Sequence, residues 1–171
     1  QSAATLLEEA KIFGETAARL SKPATRWNNL ADPARRLRVG FVSGDLNFHP
    51  VGFFIEGVLG SLAKRNSGEF EIFAYSNSFR TDPVSQRIKT NCHHWREVFG
   101  LMDNEVAEMV DTDRIDILID LSGHTARNRL SVFAWKPAPI QVTWLGYFAT
   151  TGLASIDYLI ADPWTLPESE E

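Results

Sequence analysis

Residues 37–54 read LRVGFVSGDLNFHPVGFF and establish the architecture of the chain. The first seven of them, LRVGFVS, carry the apolar and β-branched residues typical of a strand, and Gly44 ends this run. The polar loop DLNFHP follows, and the apolar stretch over residues 51–65 has the length of a helix. Strand, loop and helix in this order predict the first unit of an α/β fold.

The same alternation continues toward the end of the chain. Short apolar runs predict further strands, and segments with helical spacing or capping signals separate them. The predicted strands cover residues 70–76, 95–99, 115–123, 139–146 and 156–162, and the predicted helices cover 82–91, 103–113 and 128–137. Asp103 is the predicted N-cap of its helix. Strands that alternate with helices imply right-handed crossovers and a mostly parallel sheet.

The N-terminal part of the chain has a different pattern. Residues 5–20, TLLEEAKIFGETAARL, place apolar side chains three or four apart and predict an amphipathic helix. Residues 21–36 contain two prolines and no periodicity, which is typical of a connector. We therefore divide the chain into a helical arm with its linker at 1–36 and a main domain at 37–171.

Composition limits the function classes. A chain of 171 residues is long enough for one domain, and we expect a single compact core. The net charge of −5 disfavours nucleic acid and anionic membranes as partners. No apolar run has the roughly 18 residues of a membrane span. Cys92 is the single cysteine, so the sequence predicts a cytoplasmic protein, or a nucleocytoplasmic one in a eukaryote.

Three polar loops follow predicted strands. They are residues 44–52, residues 122–125 and residues 145–152. Ligands of open parallel sheets bind outside the carboxyl ends of the strands. We therefore expect the three loops to lie on one edge of the sheet and to contain the candidate site.

His49 is the candidate base in the first loop. Its imidazole can accept a proton near neutral pH, and Pro50 precedes a helix whose N-terminal amides attract anions. The alternative is that His49 caps the loop or packs beneath it. The sequence leaves both interpretations open.

The other two loops carry polar groups suited to ligand binding. His124 and Thr125 follow a glycine, so the turn can approach a ligand closely, although its hydroxyls can equally satisfy backbone groups. Thr150 and Thr151 lie between two glycines in the third loop. Their hydroxyls suit a sugar or a phosphate, but the composition is also that of an ordinary loop.

The sequence predicts neither a metal nor a cofactor. Cys92, His93 and His94 offer one thiolate and two adjacent imidazoles, which cannot complete a tetrahedral site without distant ligands. The chain also has no G-x-G-x-x-G, no P-loop lysine motif and no G-x-S-x-G. Their absence argues against nucleotide redox, kinase-like and α/β-hydrolase functions.

Three segments together resemble the O-linked N-acetylglucosamine transferase (SPINDLY-like) family. They are residues 37–54, DILIDLSGHTARNRL at 116–130 and KPAPIQVTWLGYFATTGL at 136–153. The resemblance implies a two-lobed glycosyltransferase of the GT-B kind. It identifies this chain as the N-terminal lobe, a doubly wound Rossmann-like sheet, and the helix at 5–20 as the junction to tetratricopeptide repeats.

The resemblance also implies an activity. The family transfers N-acetylglucosamine from UDP-N-acetylglucosamine, or fucose from GDP-fucose in its plant-type branch, to Ser or Thr of a polypeptide acceptor. The implied transfer is inverting and independent of metal, and the nucleotide sugar is a substrate rather than a cofactor. The chain begins at Gln1 and ends in PESEE, so we expect a piece of a longer protein, inactive without its C-terminal lobe. The alternative is a catalytically silent protein-binding module with the same fold.

Site residues follow from the same resemblance. His49 matches the family histidine that was proposed as a base, and Asp45 matches an acidic residue suggested to relay the proton. The cleft near the donor sugar is implied at Pro50, Leu145 and Gly146, and the acceptor or cleft side at His124 and Thr125. One departure is that Phe148 follows Tyr147 where the family usually has proline, so we expect a looser loop there.

Overall fold

The computed structural model describes residues 2–64 and 68–167. Its strands are β1 (Leu37–Ser43), β2 (Phe70–Ser76), β3 (His94–Glu97), β4 (Ile117–Asp120), β5 (Ile140–Trp144) and β6 (Tyr158–Ile160). Its helices are α1 (Ala3–Leu20), α2 (Pro50–Lys64), α3 (Pro83–Thr90), α4 (Asp103–Thr112) and α5 (Leu130–Ala134). The predicted end of the second helix at residue 65 and the acidic run at 168–171 lie outside the described residues.

The six strands form one parallel sheet with the order β3-β2-β1-β4-β5-β6. The chain starts at the centre with β1, moves outward to β3, and returns across β1 to β4. This is the strand order of a doubly wound Rossmann-like fold, and the predicted fold class is confirmed. The order reverses between β1 and β4, so the ligand crevice of such a sheet is expected above these two strands.

Helices cover both faces of the sheet. Along β1 the side chain of Phe41 enters one buried cluster and that of Val42 enters the other, because successive side chains of a strand point to opposite faces. Helices α2 and α3 complete the Phe41 cluster, whereas α1, α4 and α5 complete the Val42 cluster. The expectation of a single core is wrong, since the sheet divides the buried interior into two layers.

The N-terminal arm packs onto the main sheet. Ala17 of α1 belongs to the same buried cluster as α4 and α5. Ser21 Oγ donates a hydrogen bond to the carbonyl of Ala134 at 3.0 Å, and Trp27 Nε1 donates to the carbonyl of Lys136 at 2.9 Å. These contacts fix the arm against the region around α5. The division of the chain at residue 36 stays a prediction.

Two predicted helix starts differ from the structure. Met102, not Asp103, is the N-cap of α4, because the Glu105 carboxylate accepts the Met102 N–H at 2.7 Å while Asp103 pairs with Arg129. The helix predicted at 128–137 is reduced to α5. Asn128 forms a turn with Thr125 before it, and a left-handed residue, Lys136, follows its end.

Asp116 fastens the linker to the amino end of β4. Its two carboxylate oxygens each accept a hydrogen bond from the Arg35 guanidinium at 2.6 Å. The backbone N–H of Arg38 and the side chain of Asn29 donate to the same carboxylate at 2.8 and 2.6 Å. Burial acts to raise the pKa of Asp116, but these hydrogen bonds and the Arg35 charge lower it below its usual value.

The substitution Asp116→Asn is expected to lower the free energy of unfolding at neutral pH by about 1–3 kcal/mol, because it removes the charge from a hydrogen-bonded pair. A carboxyl whose pKa is lower in the folded state stabilises above its unfolded pKa, about 4, and this stability is lost as the pH falls through the folded value. The variant should therefore lose less stability below about pH 4 than the parent chain.

Urea titrations at neutral and acidic pH measure both effects. Glu56→Gln is the control, because Glu56 forms an exposed pair with Arg87 on the helices. Such a surface pair contributes at most about 1 kcal/mol. Equal stability of the two variants at neutral pH would contradict the role given to Asp116.

Candidate functional site

The loop after β1 is a fixed structure. Asn47 Nδ2 donates to the carbonyl of Gly44 at 3.1 Å, which closes the loop on itself. The backbone N–H of Phe48 donates to Asp82 Oδ2 at 2.7 Å, and Asp82 is also the N-cap of α3. Leu46 is buried beneath the loop. The loop therefore holds His49 in place at the start of α2.

His49 is the accessible titratable group of this loop. Its side chain is 42% exposed, and its Nδ1 accepts the backbone N–H of Val51 at 3.3 Å. Nδ1 lies 3.9 Å from Oδ2 of Asp45, which is longer than a hydrogen bond. Asp45 and His49 are therefore not hydrogen-bonded to each other, and the proton relay that the resemblance implies stays a prediction.

Asp45 is bound by an arginine that the sequence analysis did not single out. The Asp45 side chain is only 7% exposed, and Arg127 Nη2 donates to its Oδ1 at 2.9 Å. Arg127 follows β4 and has a φ of 58°. Its carbonyl accepts a hydrogen bond from Asn77 Nδ2 at 2.9 Å, so it also touches the segment after β2. No spacing in the sequence indicates this pairing.

Asp120 organises the loop after β4. It is fully buried, and its oxygens accept the backbone N–H groups of Ser122 and Gly123 at 3.1 and 2.8 Å. The hydroxyl of Thr143 on β5 donates to the same carboxylate at 2.9 Å. Burial raises the pKa of Asp120, and these hydrogen bonds act against that rise. The sequence analysis did not single out Asp120, although a carboxylate at the end of an apolar strand was a signal that could have identified it.

His124 and Thr125 lie at the edge but serve packing contacts there. His124 Nε2 donates to the carbonyl of Thr151 at 2.9 Å. The His124 ring meets Phe13 of α1 and Tyr147 of the third loop edge-on, with centroids 4.9 and 5.5 Å apart. The Thr125 hydroxyl donates to the carbonyl of Ser122 at 2.8 Å. Both side chains thus have protein partners, and their contact with a substrate stays a prediction.

The third loop forms one wall of a cleft. Leu145 has a φ of 71°, and Gly146 lies so close to β4 that a Cβ at this position would be 1.9 Å from the carbonyl oxygen of Leu121. The cleft has a volume of about 400 Å³. Its walls include Trp144, Leu145, Gly146, Tyr147, Leu159 and Ile160.

The two threonines of this loop differ in exposure. Thr150 is exposed, and its hydroxyl oxygen accepts the N–H of Gly152 at 3.2 Å. Thr151 is 4% exposed, and its hydroxyl oxygen accepts the N–H of Leu153 at 3.4 Å. The structure therefore leaves Thr150 open to a ligand, whereas the Thr151 hydroxyl belongs to the loop itself.

The three predicted loops do lie on one edge of the sheet. The first follows β1 and the second follows β4, the two strands that flank the reversal of strand order. The third follows β5, the next strand along. Among the described residues, His49 and His124 do not hydrogen-bond to each other, so the edge carries two separate imidazoles.

The side chains of Cys92, His93 and His94 each have a partner within the protein. Cys92 Sγ donates to the carbonyl of Ile88, His93 Nδ1 accepts the N–H of Ile72, and His94 Nε2 lies 2.8 Å from Glu71. Burial raises the pKa of the Cys92 thiol to about 12. Across residues 2–64 and 68–167, no three His, Cys, Asp or Glu side chains are grouped to hold a metal. No helix of these ranges is long and apolar enough to cross a bilayer.

A parallel sheet with this strand order defines an α/β protein of the Rossmann-like class, and its cleft lies at the carboxyl edge of the sheet. The chain belongs to glycosyl transferase family 41, whose sequence profile matches residues 6–170. Two curated relatives carry the name probable UDP-N-acetylglucosamine–peptide N-acetylglucosaminyltransferase SPINDLY. The protein of Arabidopsis thaliana is 37% identical over 161 residues, and that of Petunia hybrida is 38% identical over 168 residues.

These matches cover 92% and 96% of the chain but only 17% and 18% of the two relatives. A solved structure, of a mutant O-GlcNAc transferase of Thermobaculum terrenum, superposes with a TM-score of 0.89 at 38% identity. That match covers 99% of this chain and 32% of the solved one. The chain thus spans less than a fifth of the curated relatives.

Gly146→Ala is expected to destabilise the chain by about 1–3 kcal/mol, because the added methyl group overlaps the Leu121 carbonyl and forces the third loop away from β4. Gly57→Ala is the control, since a Cβ on that exposed face of α2 meets nothing within 4 Å. It should stabilise the helix by about 0.5–1 kcal/mol. Urea denaturation measures both changes, and parental stability of Gly146→Ala would contradict the close packing.

Proposed function

We propose that this chain is the N-terminal part of the catalytic region of a protein O-glycosyltransferase. The longer protein moves N-acetylglucosamine from UDP-N-acetylglucosamine to Ser or Thr hydroxyls of proteins. The family and the names of the relatives support sugar transfer to proteins. The observation that carries the proposal is His49, an exposed imidazole held at the start of α2 beside the reversal of strand order.

The proposed reaction is an inverting substitution at the anomeric carbon. The acceptor oxygen forms a bond to that carbon, the bond to the diphosphate oxygen breaks, and the nucleoside diphosphate leaves with the electron pair. The hydroxyl proton passes to a base or to solvent. His49 either takes this proton or orients the hydroxyl by a hydrogen bond, and both actions assist the transition state.

The start of α2 supports the leaving group in this proposal. A helix of 15 residues presents a partial positive charge at its N-terminus, and phosphate groups are stabilised there. Pro50 occupies the first helical position, where its missing N–H costs no hydrogen bond. We propose that this helix end, together with the C-terminal lobe, stabilises the diphosphate without a metal ion.

The donor is proposed to be UDP-N-acetylglucosamine, because the names of the curated relatives specify it. GDP-fucose is the second donor that the family resemblance implies. Parallel assays of the longer protein with both nucleotide sugars, on one acceptor protein, distinguish them.

His49→Ala in the longer protein is expected to lower kcat by about 10²-fold or more, because general-base assistance contributes about 10²–10⁴-fold and loss of substrate orientation costs about 10²-fold. Binding of the donor should change much less. His94→Ala is the matched control, since its imidazole is 38% exposed but lies at the start of β3, at the opposite edge of the sheet. Its loss should reduce stability and leave kcat of the folded protein unchanged.

Single-turnover rates and thermal melts on the same samples test this assignment. Parental kcat with a lowered melting temperature in His49→Ala would show that His49 only packs against the loop. A longer protein that transfers neither sugar to any acceptor would instead favour the alternative, a catalytically silent protein-binding module.

The 171-residue chain alone is expected to show no sugar transfer and to bind free UDP weakly. The reason is that the family resemblance places most diphosphate contacts in the second lobe, and the chain covers 32% of the solved O-GlcNAc transferase. Calorimetry with UDP and a transfer assay on the purified chain measure both. A dissociation constant below about 1 µM, equivalent to about −8 kcal/mol, would contradict this expectation.

A further inference from the structure

Arg127 has a backbone conformation that favours glycine. Its φ of 58° lies in the left-handed region, where the side chain of an ordinary residue is strained. Its neighbours hold it there, because its carbonyl accepts a hydrogen bond from Asn77 and its Cβ lies against Gly44. Strained residues that their surroundings fix in place occur often at functional sites.

This conformation places the Arg127 guanidinium on Asp45. Nη2 donates to Oδ1 of the carboxylate at 2.9 Å, and the Asp45 side chain is almost fully buried. A buried carboxylate is costly without a partner. Among the described residues, Arg127 is the cation within hydrogen-bond distance of the Asp45 carboxylate. Nδ1 of His49 is farther away, at 3.9 Å from Oδ2 of Asp45.

The position of Asp45 determines what His49 can bind through Nδ1. In the structure this nitrogen accepts the N–H of Val51 at 3.3 Å, so it carries a lone pair and no proton. The neutral imidazole then has its proton on Nε2. In this form Nε2 donates a hydrogen bond and cannot accept a proton.

We propose that Arg127 is a positioning residue that sets the proton position on His49. By binding Asp45, it leaves Nδ1 of His49 to the Val51 amide and keeps the proton on Nε2. Without Arg127, the buried carboxylate attracts Nδ1 of His49, which lies 3.9 Å from its Oδ2. The ring then releases a proton from Nε2 to water and takes one on Nδ1, and Nε2 becomes an acceptor.

The proposal deepens the proposed function, because it matters for transfer only if His49 faces the substrate. It selects between the two actions given to that residue. With Arg127 in place, His49 orients an oxygen atom by donation from Nε2. With Asp45 released, His49 can act as a base through the same nitrogen.

The test is the tautomer of His49, read from long-range ¹H–¹⁵N spectra of the chain labelled with ¹⁵N-histidine. Spectra at about pH 9 leave an ordinary imidazole neutral, since its pKa is about 6.5. His49→Asn identifies the His49 signals by their loss. The parent chain is expected to carry the proton mainly on Nε2, and Arg127→Gly mainly on Nδ1. Glycine accepts the left-handed conformation, so this variant removes the charge without adding strain.

Three further variants test whether the charge of Arg127 and the carboxylate of Asp45 determine the tautomer of His49. Arg127→Lys keeps a positive charge and should keep the proton on Nε2. Arg87→Gln removes an arginine that pairs with Glu56 on the exposed side of α2, and it should leave the tautomer unchanged. Asp45→Asn added to Arg127→Gly removes the attracting charge and should return the proton to Nε2.

The proposal is overturned if Arg127→Gly keeps the parental tautomer, if Arg127→Lys inverts it, or if the double variant stays inverted. An inversion in Arg87→Gln would also overturn it. These spectra need neither donor nor acceptor, so they report on Arg127 even if the longer protein transfers no sugar. Conversely, a large loss of kcat in His49→Ala with unchanged tautomers would support the proposed function and reject this role of Arg127.

Discussion

The structure depends on the parallel pairing of β1 with two neighbours. β1 pairs with β2 along its whole length and with β4 along four residues, and it is buried on both faces. After the carboxyl end of β1, the chain enters the helical layer that contains α2 and α3. After β4, it enters the layer that contains α1, α4 and α5. The two exits diverge, and the crevice between them is therefore a property of the topology rather than of any single loop.

The periodic part of the sequence was sufficient to predict the fold. Every predicted strand overlaps an observed one, because each strand reads as a short apolar run between polar breaks. This holds for the buried inner strands and also for the outer strands β3 and β6, which are partly or fully exposed. The three candidate loops could be placed on one edge because the carboxyl ends of parallel strands lie at the same edge of a sheet. Helix ends were less predictable: the N-cap of α4 depends on Asp103 pairing with Arg129, which lies 26 residues further along the chain.

The details of the site were largely outside the reach of sequence patterns. The pair of Arg127 and Asp45 joins residues 82 positions apart, and no local spacing encodes it. Asp120 had a local signal, a carboxylate at the end of an apolar strand, but its partners come from the turn and from β5. Residue types suited to ligand binding, such as His124 and Thr151, are partly used to hold the loops together. Polar composition at a strand end therefore overestimates the number of groups open to a substrate.

The contact between Phe13 and His124 has a mechanical consequence. Phe13 lies on α1, and the His124 ring that it touches belongs to the turn beside the cleft. Turning α1 by one residue, about 100°, would remove the phenyl ring from this contact. This contact therefore fixes the orientation of α1 about its own axis relative to the carboxyl edge of the sheet. The arm reaches the loops at two places, because Gly14 of α1 also lies close against the backbone of Gly152 in the third loop.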